Sequence, residues 1–254
     1  MADHISVSSN DRVFTIRMER PEKKNALTRA MYLAMVDALR QADSDPAVRV
    51  ILIAGTNDCF TAGNDLVDFA NAQPGESSPA ILYLQTLAAT QKPVLAAVSG
   101  VAVGIGTTML LHCDLVYASA SARFQLPFVN LGLCPEAASS LILPALMGQH
   151  RAAELLFLGD PFTAQTAKEL GIVNQVVEPS DLLSTVTTRA RQLVEKPPAS
   201  LRATKALLKQ GTAAAITNAM ASETRQFAAL LQGPEAREAM AAFLQRRKPD
   251  FSRF

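Results

Sequence analysis

The order of hydrophobic and polar residues predicts strands and helices that alternate along most of the chain. Apolar and polar residues alternate over VFTIRM (13–18), as in a half-buried strand, whereas VRVILIAG (48–55) is a continuous β-branched run typical of a buried strand. Between these two segments, Thr28 can cap a helix that reaches about Ala42. The predicted apolar stripe of this helix comprises Met31, Leu33, Met35, Val36 and Leu39.

The alternation continues to about residue 178 and then gives way to helices. Further helices are predicted over 81–90, 104–113 and 164–171, the last one capped by Thr163, with strands over 93–100, 115–118 and 172–178 and a loop over 57–66. Another helix is predicted to begin near Glu136, because Pro135 suits a first helical position. From Asp181 the pattern is entirely helical, apart from Pro197-Pro198. The order predicts an α/β protein whose last quarter is all-helical.

Composition and charge exclude several classes of protein. A hydrophobic fraction of 49% with 19% charged residues suits a globular domain, and a net charge of +1 gives no overall field to attract nucleic acid or an anionic membrane. The cysteines Cys59, Cys113 and Cys134 form no CxxC pair, so neither a disulfide framework nor a metal site is expected. Since we find no signal-peptide pattern and no apolar run of about 20 residues, we expect a cytoplasmic protein without a nucleic-acid or membrane partner.

Two glycine-containing segments are candidates for binding a negatively charged oxygen. FTAGNDL (60–66) and SGVAVGIGTTMLLHCD (99–114) each follow a predicted strand. Such turns leave backbone N–H groups unpaired, and two N–H groups that converge on one point form an oxyanion hole. For either segment alone, the simpler explanation is a glycine needed for a left-handed backbone or for close packing. Neither segment contains a dinucleotide-binding or phosphate-loop motif.

Five segments, taken together and in order, resemble the enoyl-CoA hydratase/isomerase (crotonase) superfamily. They are RPEKKNAL (20–27), AGNDL (62–66), KPVLAAVSGVAVGIG (92–106), TAQTAKELGIVNQVV (163–177) and AFLQRRKPDF (242–251). The resemblance covers nearly the whole chain and implies an α/β fold, a crotonase-like spiral of ββα units. It also implies an acyl-CoA site within residues 1–197 and an all-helical oligomerisation region over 198–254, which would assemble a homotrimer or a dimer of trimers.

The same resemblance implies the residues that handle an acyl-CoA thioester substrate. The backbone N–H groups of Asn64 and Ile105 would form the oxyanion hole for the thioester carbonyl. The residues implied to bind the substrate or its CoA part are Lys24, Ala62, Gly63, Asn64, Asp65, Leu66, Gly104, Ile105 and Phe128. A solvated surface lysine is the alternative for Lys24, and Asp65 is expected to order its loop by capping. No metal or separate cofactor is implied, because CoA is part of the substrate.

The sequence departs from the hydratase pattern at two positions. Typical hydratases of the superfamily use two glutamates to add water, and by resemblance these fall at Thr108 and Phe128. A hydroxyl and a phenyl ring cannot exchange a proton near neutral pH, so efficient hydration is not expected. The segment CPEAASS (134–140) instead looks like the peroxisomal-type Δ3,Δ2-enoyl-CoA isomerase branch, in which its glutamate, here Glu136, is the catalytic base.

Glu136 also has an ordinary interpretation. An acidic residue in the first turn of a helix gains roughly 0.3–1 kcal/mol from the helix dipole, and position alone favours this role. Against it, the neighbours Leu133, Cys134, Ala137 and Ala138 offer no cation, and no other carboxylate lies in this segment. Because one base is sufficient to move a double bond, the predicted activity is conversion of a 3-enoyl-CoA to a 2-enoyl-CoA.

Two alternatives to the isomerase are kept open, as are the roles of several apolar residues. The first alternative is an enoyl-CoA hydratase or another crotonase-type lyase, and the second is a non-catalytic acyl-CoA-binding protein. Candidates for lining an acyl pocket are Leu84, Leu87, Phe124 and Phe128, and core packing explains all four equally well. His112 and Asp114 are expected to be structural.

Overall fold

The computed structural model describes residues 4–65, 67–68 and 78–254 and contains two β-sheets. The larger sheet has the order β1 (Ile5–Asn10), β2 (Val13–Met18), β3 (Val50–Ala54), β4 (Val94–Val98), β6 (Leu115–Ser119) and β9 (Gln175–Val177). The smaller sheet consists of β5 (Val101–Val103), β7 (Arg123–Gln125) and β8 (Phe162–Thr163). All neighbours in the larger sheet are parallel except the β1–β2 hairpin, whereas β7 and β8 are antiparallel.

Ten α-helices occur in the described part of the chain. They are α1 (Arg29–Ser44), α2 (Pro79–Ala89), α3 (Ile105–Thr108), α4 (Ser139–Met147), α5 (Gln149–Leu158), α6 (Ala164–Glu169), α7 (Leu182–Val194), α8 (Pro198–Gln210), α9 (Ala213–Leu231) and α10 (Pro234–Leu244). The helix predicted over 104–113 is buried as expected, but it changes after Thr108 into a 3₁₀ turn, Met109–His112. None of these helices is long and apolar enough to cross a membrane.

From β4 to β7, consecutive strands alternate between the two sheets, as expected for a spiral of ββα units. The chain passes from β4 in the larger sheet to β5 in the smaller one and then enters α3. It repeats this path from β6 to β7, which are followed by α4. The corner between β4 and β5 requires Gly100, whose φ is +57° and where a Cβ would lie 1.8 Å from the carbonyl oxygen of Asp58. The predicted α/β class is therefore confirmed.

Most of the predicted elements are confirmed, including the cap of α1. The Thr28 hydroxyl accepts a hydrogen bond from the Met31 N–H at 3.3 Å, and the predicted stripe is buried except for Leu33, which is 46% exposed. Leu33 was wrongly included because it lies two positions beyond Met31, on the far side of a 3.6-residue turn. Tyr32 takes its place on the buried face.

The predicted start of a helix near Glu136 is wrong. The helix α4 begins at Ser139, and the two residues before it, Ala137 and Ala138, have φ angles of +63° and +56°. Left-handed residues cannot belong to a right-handed helix, so Pro135 and Glu136 lie in a turn outside it. The strands β1, β5, β7 and β8 are additional to those predicted.

The hydrophobic core lies on both faces of the larger sheet. One cluster fills the space between that sheet, the smaller sheet and helices that include α1 and α2. A second, smaller cluster joins the opposite face of β3, β4 and β6 to Leu182, Val186 and Ala190 of α7. In contrast, several large apolar side chains of the last helices are exposed, among them Leu207, Leu208, Phe243 and Leu244. The boundary at residue 197 stays a prediction.

Asn25 fastens the loop before α1 to the loop after β3. Its φ is +53°, a conformation that asparagine tolerates better than most residues. The buried side-chain amide donates to the carbonyls of Cys59 at 2.9 Å and Phe60 at 3.1 Å and accepts from the Arg20 N–H at 2.7 Å. Its own carbonyl accepts from the Thr61 hydroxyl at 2.6 Å. The RPEKKNAL segment is therefore attached to the FTAGNDL segment by side-chain hydrogen bonds.

We expect Asn25→Ala to lower the free energy of unfolding by roughly 2–4 kcal/mol. The substitution leaves buried backbone groups without a hydrogen-bond partner, and alanine tolerates the left-handed conformation of this position less well than asparagine does. Urea titration followed by circular dichroism measures the change. The control is Asn57→Ala at an exposed loop position, for which we expect a change within about 0.5 kcal/mol. Equal effects of the two substitutions would contradict the role given to Asn25.

Candidate active site

The two glycine-containing segments run side by side. Thr61 pairs in parallel with Ala102: the Thr61 N–H donates to Val101 at 2.9 Å, and the Val103 N–H donates to Thr61 at 3.0 Å. Three residues beyond this pair, the two chains reach Asn64 and Ile105 respectively. The approach is close, since a Cβ on Gly63 would lie 2.7 Å from the Val103 carbonyl oxygen. The pairing thus brings both predicted oxyanion-hole residues to the same end of the two segments.

The backbone amides of Asn64 and Ile105 are free to bind a ligand. Among the residues that the structure describes, neither N–H group donates a hydrogen bond. Ile105 is the first residue of α3, where an N–H has no partner within the helix. The preceding residues, Gly63 and Gly104, have φ angles of +90° and +56°, so the glycines supply the backbone conformation that turns these amides outward. The left-handed backbone of the two glycines and the free amides that follow them are therefore parts of one arrangement.

Tyr32 is a further polar residue of the site that the sequence analysis missed. Its hydroxyl donates a hydrogen bond to Asn64 Oδ1 at 2.6 Å, and the residue is only 3% exposed. Burial raises the pKa of Tyr32 well above its usual value, and the nearby charge of Glu136 raises it further. A tyrosine on the buried face of α1 was the available signal, because its hydroxyl needs a partner there.

The carboxyl group of Glu136 lies against α3. The Thr108 hydroxyl donates a hydrogen bond to Glu136 Oε1, and Thr108 lies one helical turn beyond Ile105. In hydratases the resemblance implies a glutamate at the position of Thr108. In this chain Thr108 instead binds the carboxyl group of Glu136, which belongs to the segment before α4. The interpretation of Glu136 as a first-turn acid is wrong, because α4 begins three residues later.

The surroundings of Glu136 favour its protonated form. Burial raises the pKa of Glu136 to about 8, the hydrogen bond from Thr108 opposes this rise, and the negative charge of Glu223 adds to it. Part of the residue nevertheless keeps accessible surface. A carboxyl that is desolvated by its neighbours and has a pKa near neutral can act as a general base or acid.

The other predicted residues are distributed around the loop of residues 62–65. Lys24 is exposed, and its carbonyl accepts from the Ala62 N–H at 2.9 Å. Asp65 orders its loop, as expected: Oδ1 accepts from the N–H groups of Val67 and Asp68 at 3.1 Å, and Oδ2 accepts from Arg20 at 2.7 Å. Leu66 lies outside the described residues.

The structural residues behave as expected. Leu84, Leu87, Phe124 and Phe128 belong to the main hydrophobic core, which is the packing alternative stated for all four. Asp114 accepts hydrogen bonds from the Val94 N–H at 2.7 Å and Lys205 at 2.6 Å. His112 is buried and bonds to the Ala137 carbonyl at 2.8 Å. Burial lowers the pKa of His112 to about 4, so the neutral ring donates from Nε2.

The fold and the two free amides define an α/β protein with a candidate oxyanion hole. The sequence pattern of the enoyl-CoA hydratase/isomerase family matches residues 8–253. The 2,3-dehydroadipyl-CoA hydratase of Escherichia coli K12 is 35% identical over 96% of this chain and 97% of its own length. Enoyl-CoA delta isomerase 2 of Rattus norvegicus is 38% identical over 81% of this chain and 54% of its own length.

Solved structures agree with these relatives. An enoyl-CoA hydratase/isomerase from Pseudoalteromonas atlantica T6c has a TM-score of 0.94 and 40% identity, covering 98% of this chain and all of that one. The chain therefore belongs to the enoyl-CoA hydratase/isomerase family, with the crotonase fold and a helical C-terminal region. Acyl-CoA thioesters fit this family as substrates. Its named members here include a hydratase and an isomerase, so membership alone does not select the reaction.

The raised pKa of Glu136 predicts a stability difference that depends on pH. Between pH 4.5 and about 8 the folded protein holds a proton on Glu136 that the unfolded chain has released, so this residue lowers the free energy of unfolding as pH rises. Glu136→Gln carries no such proton. Between pH 5 and pH 8.5, we expect the free energy of unfolding of the variant to increase relative to that of the wild type by roughly 1–3 kcal/mol.

Urea unfolding of both proteins at pH 5, 7 and 8.5 measures this difference. The matched control is Glu195→Gln at an exposed position, which shows how much of the change comes from the loss of any one carboxylate. A constant difference for Glu136→Gln would show that the carboxyl titrates normally.

Proposed function

We propose that this protein is a Δ3,Δ2-enoyl-CoA isomerase in which Glu136 is the single acid–base residue. The observation that carries the proposal is the placement of the Glu136 carboxyl against Thr108, on the helix whose first amide is the free N–H of Ile105. A base bonded to the last residue of that helix lies about one helical turn from the amide that would bind the thioester oxygen. The relationship to a delta isomerase that is 38% identical supports the same reaction.

The reaction requires one base and one site for negative charge. Ionised Glu136 removes a proton from C2 of a 3-enoyl thioester, and the electron pair of the C–H bond is delocalised over C2, C4 and the thioester oxygen. The N–H groups of Asn64 and Ile105 stabilise the oxygen of this dienolate. Glu136 then returns the proton to C4, which leaves the double bond between C2 and C3. The thioester itself acidifies the C2 proton, so the proposal includes no cofactor.

Hydration is the second candidate, supported by the E. coli hydratase that is 35% identical. Addition of water needs one group to activate the water and one to protonate the adjacent carbon. At the two positions implied for those groups this chain has Thr108, which binds Glu136, and Phe128, which is buried in the core. The other carboxylate near Glu136, Glu223, accepts three hydrogen bonds from protein donors. These contacts favour isomerisation over hydration.

The assembly and location belong to the same proposal. Leu207 and Leu208 of α8 and Phe243 and Leu244 of α10 are each more than half exposed. Exposed large apolar side chains are stabilised when a second surface covers them. These residues support a homotrimer or a dimer of trimers assembled through residues 198–254, and we infer a cytoplasmic location.

The activity is tested with purified protein and two substrates, followed by the absorbance of the conjugated thioester. We expect 3-enoyl-CoA to gain absorbance and 2-enoyl-CoA to be stable. Glu136→Gln should lower kcat by at least about 10³-fold while the dissociation constant for an acyl-CoA changes little, because only the base is lost. Glu195→Gln should match the wild type. Loss of absorbance from 2-enoyl-CoA would indicate a hydratase, and binding without turnover would indicate a non-catalytic protein.

The pH dependence of kcat/KM tests the assignment independently. Because Glu136 must be ionised to remove a proton, we expect kcat/KM to rise with pH and to level off above an apparent pKa of about 8. Thr108→Val removes the hydrogen bond that favours the ionised form, so the midpoint should move to higher pH, whereas Thr108→Ser should keep it near the wild-type value. A midpoint unaffected by Thr108→Val would contradict the contact between the two residues.

A further inference from the structure

The turn that carries Glu136 is strained and needs outside support. Ala137 and Ala138 both adopt left-handed conformations, which are unfavourable for alanine because its Cβ lies too close to the following carbonyl oxygen. Ala138 also occupies the position before α4 where a side-chain oxygen normally accepts the first free N–H groups of the helix. A methyl group cannot do so. The sequence of the turn therefore accounts neither for its conformation nor for the start of α4.

Glu223 of α9 supplies the missing acceptor from 85 residues further along the chain. Its carboxylate accepts hydrogen bonds from the Ala138 N–H at 2.6 Å, the Ser140 N–H at 2.9 Å and the Ser140 hydroxyl at 2.5 Å. Glu223 is only 7% exposed, and with Met220 it forms the buried face of a mostly exposed helix. His112, from the 3₁₀ turn after α3, donates to the Ala137 carbonyl. Two distant side chains thus hold the two strained residues.

We propose that Glu223, in the C-terminal helical region, is a positioning residue that holds the turn carrying Glu136 and places a negative charge beside it. This inference rests on the proposed role of Glu136 as the base. It gives the C-terminal helices a part in the active site of their own chain, in addition to any part in oligomerisation. The residue itself does not need to touch the substrate.

Within the described residues, the titratable groups that bear on Glu136 come from three elements. They are Tyr32 on α1, Cys134 in the same segment and Glu223 on α9. Burial raises the pKa of both Tyr32 and Cys134, so these two groups stay neutral near pH 7. Burial raises the pKa of Glu223 as well, whereas its three hydrogen-bond donors favour its ionised form, and the charge of that form opposes ionisation of Glu136. Removing its charge while keeping its shape should make Glu136 easier to ionise.

The isosteric variant Glu223→Gln separates positioning from simple support of α4. We expect the titration midpoint of Glu136 to move to lower pH, measured by carboxyl ¹³C NMR on glutamate-labelled protein without substrate. The Glu136 signal is assigned from its absence in Glu136→Gln. Glu195→Gln, which is exposed and distant in sequence, should leave the midpoint unchanged. An unmoved midpoint in Glu223→Gln would overturn the electrostatic part of the inference.

Kinetics of Glu223→Ala test the geometric part. This variant leaves the Ala138 and Ser140 N–H groups without their acceptor, so we expect kcat per folded enzyme to fall about 10–100-fold while KM changes less than about threefold. The folded fraction is measured by near-ultraviolet circular dichroism at each assay temperature. Unchanged kcat in the folded enzyme would reduce Glu223 to a structural cap and overturn the inference.

The two proposals fail in different ways. Full turnover by Glu136→Gln would refute the proposed function. The ¹³C titration requires no turnover, so it still decides whether Glu223 acts on the Glu136 carboxyl.

Discussion

The candidate site depends on the hydrogen bonds of one fully buried residue, Thr61. Its backbone pairs with Val101 and Val103, its hydroxyl donates to the Asn25 carbonyl, and the same oxygen accepts from the Gly63 N–H at 3.0 Å. Gly106 of α3 also packs against Thr61, since a Cβ there would lie 2.6 Å from Thr61 Cγ2. Three segments distant in sequence thus share one point of attachment. The position of each free amide relative to the other follows from that attachment.

The backbone conformation at Asn64 and Ile105 can be predicted from neighbouring residues, whereas that of the turn carrying Glu136 cannot. The amides of Asn64 and Ile105 lie in turns whose backbone conformation is determined by the preceding residues, Gly63 and Gly104. The conformation of the Glu136 turn is imposed from elsewhere, by His112 and Glu223. A proline followed by an acidic residue, Pro135-Glu136, is typical of the first turn of a helix, so a prediction from neighbouring residues places a helix start there. Tertiary hydrogen bonds override that local preference.

The other elements also could be predicted where neighbouring residues determine them and not where tertiary contacts do. Continuous apolar runs and the Thr28 cap predict β3, β4 and α1, because burial and capping act within a few residues. Tyr32 and Glu223 were missed, although both interrupt an apolar helix face: Glu223 follows Met220 by three residues and precedes Phe227 by four. The position of a polar residue on a buried face was available from the sequence. The identity of its partner was not, because Asn64 and Ala138 approach only in the folded chain.

Two buried carboxylates of this site differ in the number of donors around them. Burial raises the pKa of Glu223, and the hydrogen bonds that it accepts from two backbone amides and a hydroxyl oppose this rise. Glu136 accepts one hydrogen bond, from Thr108, and burial raises its pKa to about 8. In the proposed site the two acids have different roles: Glu223 holds the turn through its three donors, and Glu136 exchanges a proton with the substrate. Hydration requires a second acid–base group, whereas the proposed isomerisation requires only one carboxylate, which takes the C2 proton of the substrate and returns it to C4.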